Sequence, residues 1–561
     1  MHLVLRRVDG GVLATPLTDA GTAHGEPIRV DESRLPAFVA SRDAPDVRWV
    51  WDDTTRWYPA VLAAGGRVGR CTDLRLCRRI LRAALAARGS ALAAAPADAW
   101  DAPAQEPRVV RPTQAQLFDD ALFQVAPADD ALDPVAELRA QLDAVATSTA
   151  AGALRLLLTA ESAGALVAAE MLHAGLPWRA DVHERLLEDA LGPRVPYGVR
   201  PRRLEEIAAV VRDRLGDPSL NPDSPADVLK SLRRAGLMVT STRKWELQEI
   251  EHPVIEPLLE YKRLARLLTA NGWTWLDEWV QDGRFHPKYL VGGVVTGRWA
   301  ADGGGAMQLP KLVRPAVVAD DGWKLVVADA AQLEPRVLAA MSGDRAMAAA
   351  GDGRDLYDGV VASGAVESRQ QAKVAMLGAM YGATQGEGGR LVPRLARAFP
   401  DAIRLVERAA RAGERGEPVT TLLGRTSPVP QASWFEARNQ AYTVDGTPAM
   451  QRAVESRARS WGRFTRNFVV QGTAAEWALA WMGSLRSRLA ERFPGPVTDG
   501  PHLVFFVHDE IVVHTPAAHA DWVAEQVRAA ATDAGRLLFR DFPVVFPLSV
   551  AVVEDYGAAK D

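Results

Sequence analysis

Residues 503–515 read LVFFVHDEIVVHT. The run is apolar enough for buried strands, yet His508, Asp509 and Glu510 stand in a row inside it. A buried carboxylate costs several kcal/mol unless a partner compensates it, and two adjacent ones double the demand. A bound divalent cation is compensation of the right kind. Such a cation needs further partners from the rest of the chain.

At 561 residues the chain exceeds what one core can serve, so several domains are expected. Its 48% hydrophobic and 24% charged residues are ordinary for a globular protein. The N-terminal MHLVLRRVDGG lacks the uninterrupted apolar stretch of a signal peptide, and no run approaches a membrane span. Cys71 and Cys77, with five residues between them, match neither a disulfide framework nor a zinc spacing, so both read as reduced packing residues. A cytoplasmic protein with no membrane partner is expected. The net charge of −4, from 66 basic and 70 acidic residues, argues mildly against a compact nucleic-acid-binding domain. It leaves room for a basic cleft in a large enzyme.

The first 90 residues read as α/β, with strands in LVLRRV and VRWVWDD and one helix through RRILRAALAARGSALAAA. Residues 94 to about 137, rich in Ala, Pro and Asp, read as a linker. From about 150 helices dominate. One ends at Gly175, and SPADVLKSLRRAG starts on a capping serine and stops at Gly236. HPVIEPLLEYKRLARLL carries Lys262, Arg263 and Arg266, a solvated face or a phosphate-contacting one. WKLVVADAAQLEPRVLAAMSGD then reads as strand, carboxylate, helix, which puts Asp329 at a strand end. No internal repeat is present.

A single strand-end aspartate is usually a cap or turn residue. Two such strands could place Asp329 and Asp509 within one metal-binding distance, which suits Mg²⁺ completed by substrate phosphates. In ESRQQAKVAMLGAMYGA a helix puts Arg369 and Lys373 on one face, with Met376 or Leu377 and Met380 or Tyr381 continuing it. Two cations a turn apart could hold a triphosphate, with an aromatic further along beside a base or sugar.

DAAQLEPR, RQQAKVAMLGAMYG and VHDE, in that order and spacing, resemble motifs A, B and C of the A-family DNA polymerases, relatives of bacterial DNA polymerase I. TGRW with MQLP resembles the family's template-and-primer segment. RFTRNFVVQGTAAEW resembles the helix before motif C, LNPDSPADVLKSLRRAGL the thumb, and VEDYGAAKD the C-terminal tail. The resemblance covers roughly residues 155–561 and extends to the actinobacterial-type bifunctional 3′–5′ exonuclease/DNA polymerases. It implies a right-hand polymerase of multidomain α/β and α+β class. Residues 1–150 form a degenerate exonuclease-like domain and 151–290 connecting helices and thumb, the thumb from about 181. Residues 291–343 and 441–561 form the palm, and 344–440 the fingers.

The same resemblance implies roles. Asp329 and Asp509 hold two Mg²⁺ ions, with Mn²⁺ as an alternative, and Glu510 lies near them. Arg369 and Lys373 bind the incoming triphosphate, Lys373 also as electrostatic stabiliser or proton donor. Glu334 gates against ribose, Tyr381 sits beside the nascent pair, and Gln332 contacts a phosphate. Arg298, Arg463, Asn467, Gln471 and His508 line the primer-template duplex. The implied partners are primer-template DNA and dNTPs, with a monomeric chain and an unidentified repair protein as further expectations.

Several positions depart from the family. The Tyr and Ser after the motif A aspartate are Ala330 and Ala331, a usually aromatic helix residue is Leu377, the fingers His is Tyr357, and a common Gln before VHDE is Phe506. The stretch between MQLP and Val326 is also short. None removes a metal ligand or the triphosphate lysine, so activity with altered speed, fidelity or sugar discrimination is expected. The exonuclease signature Asp-x-Glu follows no strand in the first 90 residues, and its third motif would fall in the linker. Asp52, Asp53 and Asp73 remain as exonuclease candidates, and no room for an upstream 5′-nuclease domain is expected.

Three readings therefore compete. They are a polymerase with an inert N-terminal domain, a bifunctional polymerase and proofreading exonuclease, and a non-catalytic DNA-binding scaffold. A single-subunit RNA polymerase is disfavoured by Glu334 at the ribose gate. Repair or gap filling is the expected role.

Overall fold

The computed structural model describes residues 1–102, 132–382 and 386–560. Strands His2–Val8 and Gly11–Leu17 form a hairpin across Asp9-Gly10, and Ile28–Val30 extends it on one side. On the other side Arg48–Trp51 and then Cys71–Asp73 add in parallel. Parallel strands need crossovers, and the helices Leu35–Arg42 and Thr54–Ala63 supply them. Trp49 and Trp51 are fully buried beneath this five-stranded sheet.

Three expectations for this region change. The single helix expected through residues 78–95 is instead the helix Leu74–Ala83, a 3-10 turn Leu85–Ala87 and a short helix Ala91–Ala94. Tertiary bonds override the alanine-rich propensity here: Leu85 N–H donates to Thr426 Oγ1 (2.9 Å), and Ser90 caps the last helix. The linker expected over 94–137 is anchored at both ends, with Trp100 and Leu132 buried against Val4, Val50 and Leu74. Its middle, residues 103–131, lies outside the described residues, as does most of the stretch assigned to a third exonuclease motif. The helix Ala151–Ala174 is, against expectation, long and apolar enough to cross a membrane by length and hydropathy. Inside this fold it is a core helix, buried along most of its length and carrying the buried Glu161, Ser162 and Glu170.

The helices Arg202–Leu215, Pro225–Arg234 and Ile255–Asn271 follow, the second capped by Ser224 on Asp227 N–H at 3.2 Å. The C-terminal sheet has four antiparallel strands in the order His502–Val507, Glu510–Pro516, Trp323–Ala330, Leu548–Val553. The 45-residue helix Pro448–Arg492 is the axis against which the helices Ala151–Ala174, Pro400–Arg415 and Ala520–Phe539 all pack. Tyr556, in the C-terminal tail, is fully buried.

Two buried charge networks lock these parts together. Arg486 on the long helix donates to Glu170 (2.7 Å) and to the Val68 (2.5 Å) and Gly69 (3.0 Å) carbonyls, while Tyr58 O–H donates to Glu170 Oε1 at 2.6 Å. Burial alone would raise the Glu170 carboxyl, but Arg486 and Arg67 outweigh it and hold it below the usual range. The second network joins Arg425 to Glu161 (2.7 Å), with Glu476 accepting from Thr421 O–H and from Leu423 N–H at 3.1 Å. Burial pushes the Glu476 carboxyl up to about 7, against Thr421 and Arg425.

Removing one partner of a buried ion pair leaves an uncompensated charge. Glu170→Ala is expected to cost roughly 3–5 kcal/mol, read as a lower denaturation midpoint, with Arg486→Met added to it recovering most of the loss. The Glu476 effect has the opposite origin. Its folded pKa lies above the ordinary 4.5, so the stabilisation is complete below that pH and is lost as pH rises through about 7. Glu476→Gln is expected to flatten this pH dependence, raising stability near pH 8 relative to the parent by on the order of 1–3 kcal/mol in urea titrations.

Candidate active site and nucleic-acid interface

The opening puzzle of LVFFVHDEIVVHT resolves as a hairpin. The strands His502–Val507 and Glu510–Pro516 are joined by a turn made of His508 and Asp509 alone, with His508 at φ +56°. Asp509 is therefore on a tip, not at the middle of a strand. The neighbouring strand Trp323–Ala330 pairs Asp329 directly with Glu510, and Ala330 N–H donates to the Asp509 carbonyl at 3.0 Å. Both aspartates thus stand at the same end of adjacent strands.

Burial pushes the Asp509 carboxyl up to about 6; Arg298 opposes this, while Glu334 and Asp329 add to it. Glu334 and Asp329 thus act on the Asp509 carboxyl in the same direction as burial, an effect that a bound cation would oppose. Among the described residues no group of three or more His, Cys, Asp or Glu side chains forms a closed metal site. Two aspartates with the remaining positions open fit Mg²⁺, which keeps waters and binds substrate phosphates rather than filling an all-protein cage.

Glu510 stands directly across the strand pair from Asp329. Its Oε1 accepts from Arg314 (3.2 Å) and from Tyr556 O–H, and the Arg314 guanidinium lies 4.4 Å over the Tyr556 ring. Its charge is compensated within the fold.

A cleft of about 870 Å³ opens beside Asp509 and His508, with Arg298, Gln471, Phe506 and Arg266 also in its wall. Burial and Arg298 hold His508 below the usual histidine range, with Glu510 opposing. Of the three cations on the helix Ile255–Asn271 only Arg266 reaches this cleft. Arg263 pairs with Glu260 (2.7 Å), and Lys262 donates to Thr242. Phe506 packs edge-on to Trp299 at 5.2 Å, so this part of the wall is apolar. Arg425 supports the loop carrying Arg298 from below. Gly297 has φ +87°, and a Cβ there would come within 2.5 Å of the Arg425 Nε, so only glycine fits.

The helix Arg369–Tyr381 starts at Ser368, which caps Gln371 N–H (3.2 Å), and ends at Gly382. Arg369, Lys373, Leu377 and Tyr381 form its open face, while Met376 and Met380 are buried. Lys373 is exposed and forms no ion pair among the described residues. Tyr381 O–H donates to Glu334 Oε2 (2.9 Å), and Glu334 also pairs with Arg298. Burial and Glu334 push the Tyr381 hydroxyl up to about 12. Arg463, Asn467 and Gln471 line one face of the long helix, spaced four apart. Arg463 lies against Gly382, and the Asn467 Oδ1 is buried with no hydrogen-bond partner among the described residues. Arg466, a turn away, donates to the Ala379 carbonyl at 2.7 Å and pairs with Glu407.

Two residues expected to contact ligand also bond within the protein. Gln332 sits at φ +49° and donates its amide to Asp355 (3.0 Å), and Arg369 pairs with the same Asp355 oxygen at 2.8 Å. The Arg369 guanidinium also lies 5.6 Å over the buried ring of Tyr357. Asp355, Arg314 and Arg336 were not singled out from sequence. The first is legible as a helix cap before Leu356. Its bond to Arg369, fourteen residues on, is not.

In the N-terminal domain each candidate carboxylate has a structural partner. Asp52 accepts from Arg56 and Trp57 Nε1 (both 2.5 Å), and Asp53 caps Thr55 N–H at 2.9 Å. Asp73 accepts from Thr54 N–H (2.7 Å) and Oγ1 (2.8 Å) and from Leu76 N–H (3.0 Å), and burial pushes its carboxyl up to about 7.

The chain is 27% identical over 399 residues to the thermostable DNA polymerase I of Thermus aquaticus, a match covering 65% of this chain and 42% of that protein. It is 28% identical over 402 residues to DNA polymerase I of Chloroflexus aurantiacus, covering 66% and 38% respectively. The match therefore spans less than half the length of either relative. Its fold is similar to the polymerase domain of Pol1 from M. smegmatis, solved with DNA primer-template and dNTP, at TM-score 0.68 and 19% identity over 100% of this chain and 96% of that one. Residues 201–556, more than half of the chain, match the profile of DNA polymerase family A, and the chain belongs to that family.

Proposed function

We propose that this chain is a DNA-directed DNA polymerase that adds dNMP to a primer 3′-hydroxyl, in repair or gap filling. The observation that carries the reading is the pairing of strands Trp323–Ala330 and Glu510–Pro516, which brings Asp329 and Asp509 to one end of the sheet beside an open cleft. The two aspartates would hold Mg²⁺, or Mn²⁺, whose chemistry when bound is to acidify the primer hydroxyl and neutralise charge on the leaving pyrophosphate. Lys373, exposed and unpaired among the described residues, suits an electrostatic contact to the triphosphate. Arg298, bridging Glu334 to the hairpin region, sets the wall against which primer and sugar lie. The unpartnered Asn467 Oδ1 supports a role for the Arg463–Asn467–Gln471 face in holding the duplex, since a buried acceptor without a donor is costly unless a ligand supplies one.

In this reading the chain divides as a right hand, with palm 291–343 and 441–561, fingers 344–440, thumb from about 181 to 290, and an exonuclease-like domain at the N-terminus. An inert N-terminal domain is favoured because Asp52, Asp53 and Asp73 spend their oxygens on capping and pairing. Binding to DNA is expected to weaken with salt through counterion release.

Extension of a labelled primer with Mg²⁺ and four dNTPs, beside Asp509→Ala, tests the reading. Extension by the parent and none by the variant is expected. Two proteins that both shift the DNA and extend nothing would leave the scaffold reading standing. Primer shortening without dNTPs would establish the exonuclease. A separate prediction concerns sugar choice. Glu334→Ala is expected to raise ribonucleotide incorporation relative to dNTP about tenfold or more, each factor of ten being about 1.4 kcal/mol of discrimination, in single-nucleotide kinetics.

A further inference from the structure

We propose that Asp355 is a positioning residue for the incoming triphosphate, acting through Arg369; this rests on the polymerase reading above. Asp355 is itself immobilised. Its Oδ1 caps the helix Leu356–Ala362 through the N–H groups of Tyr357 (2.9 Å) and Asp358 (3.2 Å). Its Oδ2 accepts from Gln332 Nε2 at 3.0 Å and from Arg369 Nη2 at 2.8 Å. Gln332 is fixed in turn, its Oε1 accepting from the buried Arg336 at 3.3 Å and from Leu356 N–H at 3.4 Å. Burial would raise the Asp355 carboxyl, but Arg369 and the helix N–H groups outweigh it, so the group is anionic.

Arg369 is bracketed between this carboxylate and the Tyr357 ring, yet its side chain remains 53% exposed. An exposed ion pair adds little to stability, so its value here lies in orientation. Asp355 takes one Nη of a guanidinium with five donors and Asp358 stands 3.9 Å from its Nε, on an exposed side chain that shares a helix face with Lys373. The bracket thus fixes a rotamer-rich side chain before a phosphate arrives and removes the entropy cost of fixing it afterwards. It also has a counterpart. At the other end of the same helix Tyr381 is tied to Glu334. Through Asp355 and Gln332 at one end and Glu334 at the other, the helix is tied to the segment that follows Asp329, which sets the cationic face in register with the carboxylates.

The test is single-nucleotide extension with dNTP titration on the parent, Asp355→Asn, Arg369→Ala and the double variant. Asparagine keeps the helix cap and removes the charge, and an unchanged Tm verifies folding. The expected result is a KM for dNTP roughly fivefold higher in Asp355→Asn, with kcat changed by no more than about twofold. In the Arg369→Ala background the same change is expected to add nothing. An unchanged or lower KM, or an effect that adds in full to that of Arg369→Ala, overturns the proposal. Titration calorimetry of dATP on the primer-bound proteins separates the two readings. A parent that binds dATP and extends nothing overturns the polymerase reading, while the Asp355→Asn contrast in Kd still decides the role of Asp355. A parent that neither binds nor extends overturns both.

Discussion

The register between strands Trp323–Ala330 and Glu510–Pro516 is the constraint on which the site depends. Asp329 stands opposite Glu510, and the turn of His508 and Asp509 projects just beyond. A slip of one residue would send Asp329 to the other face of the sheet, because side chains alternate with period two. Register is held by what lies under it. Val326, Val327, Ile511, Val512 and Val513 are buried in the core, and Glu510 is locked by Arg314 and Tyr556 on the same edge. Apolar burial therefore fixes where the polar ends of these strands meet.

Around this sheet, segments far apart in sequence are joined by buried arginines. Arg486 ties the long helix to Glu170 and to the loop at Val68 and Gly69, more than 400 residues earlier. Arg425 supports the loop that presents Arg298, and Arg466 satisfies a carbonyl near the end of the helix Arg369–Tyr381. Arg336, almost wholly buried, donates to the Ala331, Gly351, Arg354 and Val545 carbonyls and so fastens the turn after Asp329 to two loops. A guanidinium suits this task because five donors in a rigid fork can satisfy several acceptors at once without being deprotonated. The site is thus held at its periphery by buried cations, while Lys373 is exposed and Arg266 stands in the wall of the cleft.

The N-terminal sheet uses the same chemistry for a different end. Asp52, Asp53 and Asp73 are the right residue types for a nuclease, but each is committed to a helix start or an indole and guanidinium pair. A carboxylate that caps a helix accepts N–H donors and is correspondingly less available to a cation. Tyr58, from the same domain, is instead part of the Glu170–Arg486 lock, so this domain's evident contribution is to brace the long helix.

Much of the site was legible in the sequence because its signals are local. A carboxylate at the end of an apolar run, an Arg and Lys one turn apart, and a polar pair between two short strands each report their own surroundings within a few residues. The capping serine at 224 and the stop at Gly175 were legible for the same reason. Tertiary structure alone decided what those side chains touch. Asp355 meeting Arg369, Glu510 meeting Tyr556, and Thr426 breaking the helix expected through residues 78–95 all depend on contacts between distant segments. Such contacts are set by how whole elements pack, and burial of apolar surface, which drives that packing, is non-directional and leaves no local mark in the chain.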